Sequence, residues 1–339
     1  NYVTSDIRYV GLEFGIGGYK PHKAVEVFAN KYGDCKDQAT LLITMLKQID
    51  IKAEPVLINS RANPSLNIVT PAQFNHMIVY LPQEELFLDP TSSLTLFRDL
   101  PPGDQGKRVL LPTLNKRRET PILPPEKNRE VIDIAVKISP EADSDITINW
   151  GDYGYYDSLY KQLFRRYNQK RRKLVVKQIV NQSLPGAQIT RAKINGVEGL
   201  EENFNLDISL KTSDFLNKMG GNYSIRPINF PMNLYQLVSE EKRDHPINLG
   251  VTMSFKRKIE IELPQGFQVN YLPGDVIVDN KVGTLNLKYN HEGDKIKVEL
   301  NLRVKNKDIP VKDYGLAKKL FEQVKKGLQK QILIKENNK

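Results

Sequence analysis

The chain has 339 residues, enough for two domains of ordinary size, and its 40% hydrophobic and 27% charged residues are those of a soluble globular protein. No run approaches the ~18 apolar residues that cross a bilayer, and a single cysteine excludes an internal disulfide framework or a cysteine-based zinc site. A net charge of +10 raises the question of nucleic acid or another acidic partner.

The opening NYVTSDIRYVG reads as the end of a helix running into a strand, without a basic-then-apolar leader. We expect a matured or trimmed piece, which leaves cytoplasm and periplasm both open. KPHKAVEVFANKYG predicts a helix with Pro21 in its first turn, Val25 and Phe28 at helical spacing, and Gly33 as the stop. CKDQATLLITMLKQIDI predicts a second helix with Leu42, Met45, Leu46 and Ile49 as its apolar stripe. EPVLINS, HMIVYL and LFLD read as short strands. The stretch 101–128, rich in Pro, Gly and charge, reads as a linker between a domain over 1–100 and another over 129–339.

Beyond the linker, VIDIAVKIS, DITINWG, QITRAKING, FNLDISLKT, KRKIEIELP, TLNLKYN and KIKVELNLRVKN alternate apolar and polar residues between turns. That pattern predicts a mainly antiparallel sheet or β-sandwich. Helical pieces, YDSLYKQLFRRYNQ and KLVVKQIVNQS, interrupt it, and YGLAKKLFEQVKKGLQKQIL predicts a C-terminal helix. Much of the positive charge lies in KRR at Lys116 to Arg118 and in FRRYNQKRRK at Phe164 to Lys173. The second run reads first as the solvated side of helices, with an acidic partner or surface as the alternative.

The one cysteine stands in KYGDCKDQATLL, among charged neighbours at the predicted start of a helix. Asp34 is placed to cap that helix. Cys35 is in register with Ala39 and Leu42, so its side chain leans toward the body of the domain. Unpaired N–H groups and the positive dipole end stabilise a thiolate there, and with a cationic imidazole such settings lower a thiol pKa from ~8.5 to ~3.5–7.5. The bland reading of Cys35 is a small buried residue. Of four histidines, His22, His245 and His291 sit in polar, turn-like or first-turn surroundings, whereas His76 begins a predicted strand.

FNHMIVYLPQEELFLDPT reads as a hairpin in which Leu81 faces Leu86, Ile78 faces Asp89 and His76 faces Thr91. Partners and residues two apart share a sheet face, so His76 and Asp89 become diagonal neighbours, ~7–8 Å between backbones. An odd turn would send Asp89 to the other face. Thiol, imidazole and carboxylate together suit amide acyl transfer: His76 as base and then acid, Cys35 as nucleophile, Asp89 as the group that orients the imidazole. The Cys35 backbone N–H is a natural oxyanion donor, with Tyr9 and Asn30 as weaker candidates for a second.

YGDCKDQATLLITMLKQIDIKAEPVLI, FNHMIVYL and LFLDPT resemble the core of bacterial transglutaminase-like proteins, a branch of the papain-like cysteine enzymes. IRYVGLEFGIGGYKP is similar to that family's lead-in. The resemblance covers about the first third of the chain and implies an α+β fold, with a cysteine-bearing helix packed on an antiparallel sheet. It also implies Cys35 as nucleophile, His76 as base and Asp89 as orienting acid, with neither metal nor organic cofactor. LPPGDQGKRVLL, LPPEKNRE and GDYGYYDSLYKQL are similar to the linker and β-rich C-terminal domain of unknown function that follow such cores. The relatives' layout, with a further β-rich domain upstream, implies a periplasmic or cell-envelope setting and a part of the core's first helix lying before Asn1.

The leading expectation is therefore a transglutaminase-like cysteine acyl transferase or hydrolase acting on peptide or protein amides through a thioester. The alternative is a non-catalytic binding or scaffolding module built on the β-rich domain. Nucleic-acid binding through Arg165, Arg166, Lys170, Arg171, Arg172 and Lys173 is disfavoured, because no stacking platform or recognised motif accompanies the charges. GIGGYKP lacks the spacing of a phosphate loop, GDQGK reads as a linker turn, and KISPEADSD lacks calcium-loop spacing.

Overall fold

The computed structural model describes residues 2–11, 15–65, 70–228, 230 and 234–336. Leu12, Glu13 and Phe14 of the expected lead-in lie outside the described residues. The chain divides into two compact units, Asn1–Leu123 and Pro124–Lys339.

In chain order the first unit comprises α1 (Tyr2–Asp6), β1 (Arg8–Tyr9), α2 (Ala24–Asn30), β2 (Tyr32–Gly33), α3 (Cys35–Lys47), β3 (Glu54–Ile58), β4 (His76–Leu81), β5 (Leu86–Leu88), β6 (Arg108–Leu111) and β7 (Lys116–Glu119). The last five strands form an antiparallel sheet of order β5-β4-β3-β6-β7. Val56, Ile58, Ile78, Tyr80, Phe87, Val109 and Leu111 build its core, and α3 packs across β4 and β3. Val3, Ile7, Val27 and Leu41 make a second, smaller cluster around α1, α2 and α3.

The stretch expected to be a linker is largely part of this unit. Leu110 pairs with Leu57, and Val109 and Leu111 are fully buried. The period-two apolar positions in GKRVLLP thus belong to a real strand, hidden at sequence level by flanking charge and proline. Helix α2 also differs from expectation. It begins at Ala24, beyond Pro21, and ends because Lys31 turns into the left-handed region at φ 58. Its buried residue is Val27, while Val25 and Phe28 are exposed. Helix α3 stops at Lys47, and Met45 and Ile49 of the expected stripe face solvent.

The second unit comprises β8 (Arg129–Ile138), β9 (Ser144–Asp152), α4 (Tyr155–Arg165), α5 (Gln169–Ser183), β10 (Gln188–Asn195), β11 (Asn205–Thr212), β12 (Leu216–Met219), β13 (Asn222–Ile225), β14 (Ile247–Asn248), β15 (Met253–Glu262), β16 (Phe267–Tyr271), β17 (Val276–Asp279), β18 (Gly283–Glu292), β19 (Lys295–Val304), β20 (Asp308–Ile309), α6 (Tyr314–Leu328) and β21 (Ile332–Glu336). Eight strands form one sheet of order β10-β11-β9-β8-β15-β19-β18-β17, antiparallel except where β8 meets β15. Along β8 buried and exposed residues alternate, so one face is covered and the other meets water. A four-stranded sheet, β12-β13-β21-β16, shares the core of this unit. The residues QIL, expected as helix end, enter or precede β21, which pairs with both β13 and β16.

Candidate active site

The start of α3 is organised by its own sequence. Asp34 is the N-cap, its side chain accepting from the N–H groups of Lys36 and Asp37, while the Asp37 carboxylate accepts from the Asp34 N–H at 3.1 Å. This reciprocal capping box satisfies several of the orphan donors of a helix start. Lys36 turns its ammonium back onto Asp34. Gly33 is required by the fold-back of Asp37, since a Cβ at Gly33 would lie 2.6 Å from the Asp37 Cβ. His22 secures Asp37 from outside, through its N–H at 2.8 Å and its ring Nδ1 at 3.1 Å. Cys35 is thereby fixed as the first residue of α3, buried and unbridged.

The hairpin has the register read from the sequence, with Leu81 opposite Leu86 and Val79 opposite Leu88. Its even parity places His76 and Asp89 on one face, and the His76 Nε2 meets Asp89 Oδ2 at 3.1 Å. The other Asp89 oxygen accepts from the Thr91 N–H at 2.8 Å and the Thr91 hydroxyl at 2.7 Å. Burial works against charge on His76, but hydrogen bonds to Asp89 and to the Cys35 thiol, with the charges of Asp89 and Asp104, raise its pKa to about 10. Burial likewise opposes charge on Asp89, yet the bond to His76, the imidazolium charge and the Thr91 donors hold it below the usual carboxylate range. The three residues Cys35, His76 and Asp89 are thus brought together, with imidazole between sulfur and carboxylate.

A fourth residue, Asp104, joins them, although GDQGK reads from the sequence as a linker turn. It ends a short 3-10 turn over Pro102–Asp104 and is only 2% exposed. The Thr120 hydroxyl donates to its backbone carbonyl, and Gln105 braces the same turn by bonds to Leu100 O at 2.8 Å and from Leu123 N at 3.1 Å. His76, Asp89 and Asp104 each place one polar atom within 4.8 Å of the others, close enough among the described residues for a cation to be considered. The Cys35 sulfur is not one of those three atoms.

Both side-chain oxyanion candidates are exposed. Tyr9 on β1 pairs in parallel with Gly33, two positions before Cys35. Asn30 ends α2 and is exposed. The Cys35 N–H itself makes no hydrogen bond to a described residue. His245 and His291 are exposed, as read. In the basic run only part is solvated: Arg165 donates to Val197 O at 2.9 Å and Arg172 to Phe164 O at 2.9 Å, and both face Glu198. Lys170, Arg171 and Lys173 are exposed. No helix among the described residues is long and apolar enough to cross a membrane.

Fold and site together define a mixed α/β, sheet-rich protein whose first unit buries a thiol, an imidazole and carboxyls in one cluster. Comparison with solved structures agrees on the fold. Over 98% of its length the chain is similar to a "putative protease" from Parabacteroides distasonis ATCC 8503, with a TM-score of 0.56 and 11% identity. The chain spans about half of that protein, 50% of its length. Residues 221–334, from the edge of β13 into β21, match a family described as a domain of unknown function with solved structure, DUF3858. No curated protein matches the sequence.

Proposed function

We propose that the first unit is a transglutaminase-like cysteine acyl-transfer centre that acts on peptide or protein amides. The observation that carries this reading is the junction of Cys35, at the first position of α3, with a His76 ring that Asp89 holds from behind. His76, raised to about 10, already holds its proton near neutrality; in the first step the thiol proton passes to solvent and the sulfur, beside the imidazolium, attacks the amide carbonyl carbon. The oxygen that becomes negative lies beside the start of α3, where the Cys35 N–H has no described acceptor to lose. The C–N bond then breaks, the His76 imidazolium gives its proton to the departing amine, and a thioester remains on Cys35. Water resolves it to a carboxylic acid, or an amine to a new amide. Asp89 keeps the imidazole in one tautomer and one orientation throughout. A periplasmic or envelope setting belongs to the same proposal and rests on the resemblance of the core sequence.

Alkylation of Cys35 by iodoacetamide in the full chain tests this reading, followed by digestion and mass spectrometry. We expect faster labelling in the native than in the denatured protein, and roughly ten-fold or greater slowing in His76→Ala. An unchanged rate in His76→Ala would end the assignment. A second reading, a binding module, draws on the solvent-facing side of the eight-stranded sheet. There Asp133, Asn149, Arg191, Asp207, Lys258 and Glu260 line a polar depression of about 580 Å³. Equal labelling of native and denatured Cys35 would favour it.

A further inference from the structure

We propose that His22 is a positioning residue of the acyl-transfer centre: its ring fixes the Asp37 carboxylate, and through it the backbone that carries Cys35. This rests on the acyl-transfer reading of Cys35, His76 and Asp89.

From the sequence His22 reads as a surface group beside lysines. Its ring is exposed, but the Nδ1 edge is committed to a buried carboxylate, that of Asp37. Asp37 takes three N–H donors. Its Oδ1 accepts from the His22 backbone at 2.8 Å, and its Oδ2 accepts from the His22 ring at 3.1 Å and from the Asp34 backbone at 3.1 Å. A capping box needs only the last of these on its acidic side chain. The two from His22 grip both carboxylate oxygens at once, which sets the plane of the carboxylate as well as its place. With the backbone bond alone, the carboxylate could turn about Oδ1 and draw Oδ2 away from Asp34.

Asp34 is the residue this grip controls. Its N–H is held by Asp37, its carbonyl accepts from the Gln38 N–H at 2.9 Å, and its side chain accepts from the N–H groups of Lys36 and Asp37. The peptide unit between Asp34 and Cys35 is therefore fixed from the Asp34 side. That unit carries the Cys35 N–H, the donor for the oxyanion, and it sets where the Cys35 side chain leaves the backbone toward His76. Apolar packing of the intervening segment is slight. Between His22 and Asp37 lie α2 and β2, and α2 contributes one buried residue, Val27, to the smaller cluster. A segment with so little buried apolar surface depends on the polar bonds at its ends. The His76–Asp89 pair reaches the sulfur through its ring; His22–Asp37, a second imidazole–carboxylate pair, reaches it through the backbone.

The experiment is iodoacetamide alkylation of Cys35 in the native full chain at one pH, with amide hydrogen exchange at Asp34 followed by NMR in the same variants. We expect His22→Ala to react about three- to ten-fold more slowly than wild type. His22→Asn, which keeps an N–H donor one bond beyond Cγ, should return to within about two-fold of wild type. The His22 backbone donor is present in both variants, so the difference between them belongs to the side chain. In an Asp37→Ala background, His22→Ala should add no further loss. The Asp34 amide should exchange faster in His22→Ala and close to the wild-type rate in His22→Asn. A lower urea midpoint with an unchanged native alkylation rate would make His22 a structural contact only and overturn the proposal. So would an Asn variant as slow as the Ala variant, or a full additional loss in the Asp37→Ala background. If Asp37→Ala does not fold, His22→Asn against His22→Ala decides alone. Equal labelling of native and denatured wild type would sink the acyl-transfer reading by itself. The exchange measurement then still decides the grip on Asp34, faster exchange in His22→Ala supporting it and an unchanged rate overturning it.

Discussion

In the first unit, His76, Asp89 and Asp104 gather near a thiol with one carboxyl oxygen lacking a donor; in the second, Asp157 and Lys161 on α4 are buried as a complete ion pair at 2.9 Å. Lys161 also donates to Glu202 O at 2.7 Å, and Asp157 accepts from the Phe204 N–H. Arg257 and Glu130 form another buried pair between β15 and β8. The Asp157–Lys161 pair, closed in this way, holds backbone segments in place. Asp152 shows that an orphaned acid is not enough for chemistry. It is 0% exposed with neither oxygen bonded, and burial followed by the Glu130 charge raises its pKa well above the ordinary value. Its surroundings favour the neutral form, and both histidines of its unit are exposed on the surface. What separates the first cluster is the imidazole between an acid pair and the one thiol of the chain.

The largest expected effect breaks the closed pair. Lys161→Met leaves Asp157 charged and buried without its partner, and urea denaturation should show a loss of about 3–5 kcal/mol. His76→Ala likewise leaves a buried carboxylate, Asp89, without its partner, but unlike Lys161→Met it should also slow Cys35 alkylation, and that second readout separates the units. Next comes Gly33→Ala. Its Cβ would displace Asp37 from the capping box, with about 1–3 kcal/mol lost and a slower Cys35 reaction from a disturbed helix start.

A third test uses pH. The Asp104 carboxyl titrates at about 7 in the folded chain, above its unfolded value. Its protonated form is therefore favoured by folding, and that contribution is complete below the unfolded pKa and lost as pH rises through 7. His76, raised to about 10, contributes stability below its unfolded pKa of 6.5 that is lost as pH climbs toward 10. Asp104→Asn should thus gain on wild type above neutrality, by about 1 kcal/mol or more. A constant difference between the two across pH 5 to 9 would contradict the placement of that proton.

Local rules made much of the site readable. The cap at Asp34, the helix after it and the parity that joins His76 to Asp89 all depend on residues within one helix turn or one hairpin. Asp104 was not readable, because its place is set by Thr120 and Gln105 across a loop with no periodic pattern. Strand β6 is hidden because proline and charge mask its two buried positions, and β7 because all four of its residues are exposed and show no alternation. For α2 the spacing gave the faces of the helix but not which of them has a partner. The end of the chain became β21 because pairing with β13 and β16 outweighs the helical propensity of its first residues.

The smallest effects lie within the basic run, where the solvated-face reading divides. Arg172 reaches from α5 to the Phe164 carbonyl in the last turn of α4, which also accepts from the Tyr167 N–H at 3.2 Å, and to Glu198 at 3.2 Å. Arg172→Ala should cost about 1 kcal/mol in urea denaturation. Lys170 and Lys173 stand on the same stretch with their side chains in water, so Lys170→Ala and Lys173→Ala should stay within about 0.5 kcal/mol of wild type. Were the lysines to matter as much as Arg172, the run would have to act as a unit, and its charge would need a partner beyond Glu198. Equal and small effects at all three positions would instead show that the Arg172 contacts are screened by water, because exposed ion pairs contribute little.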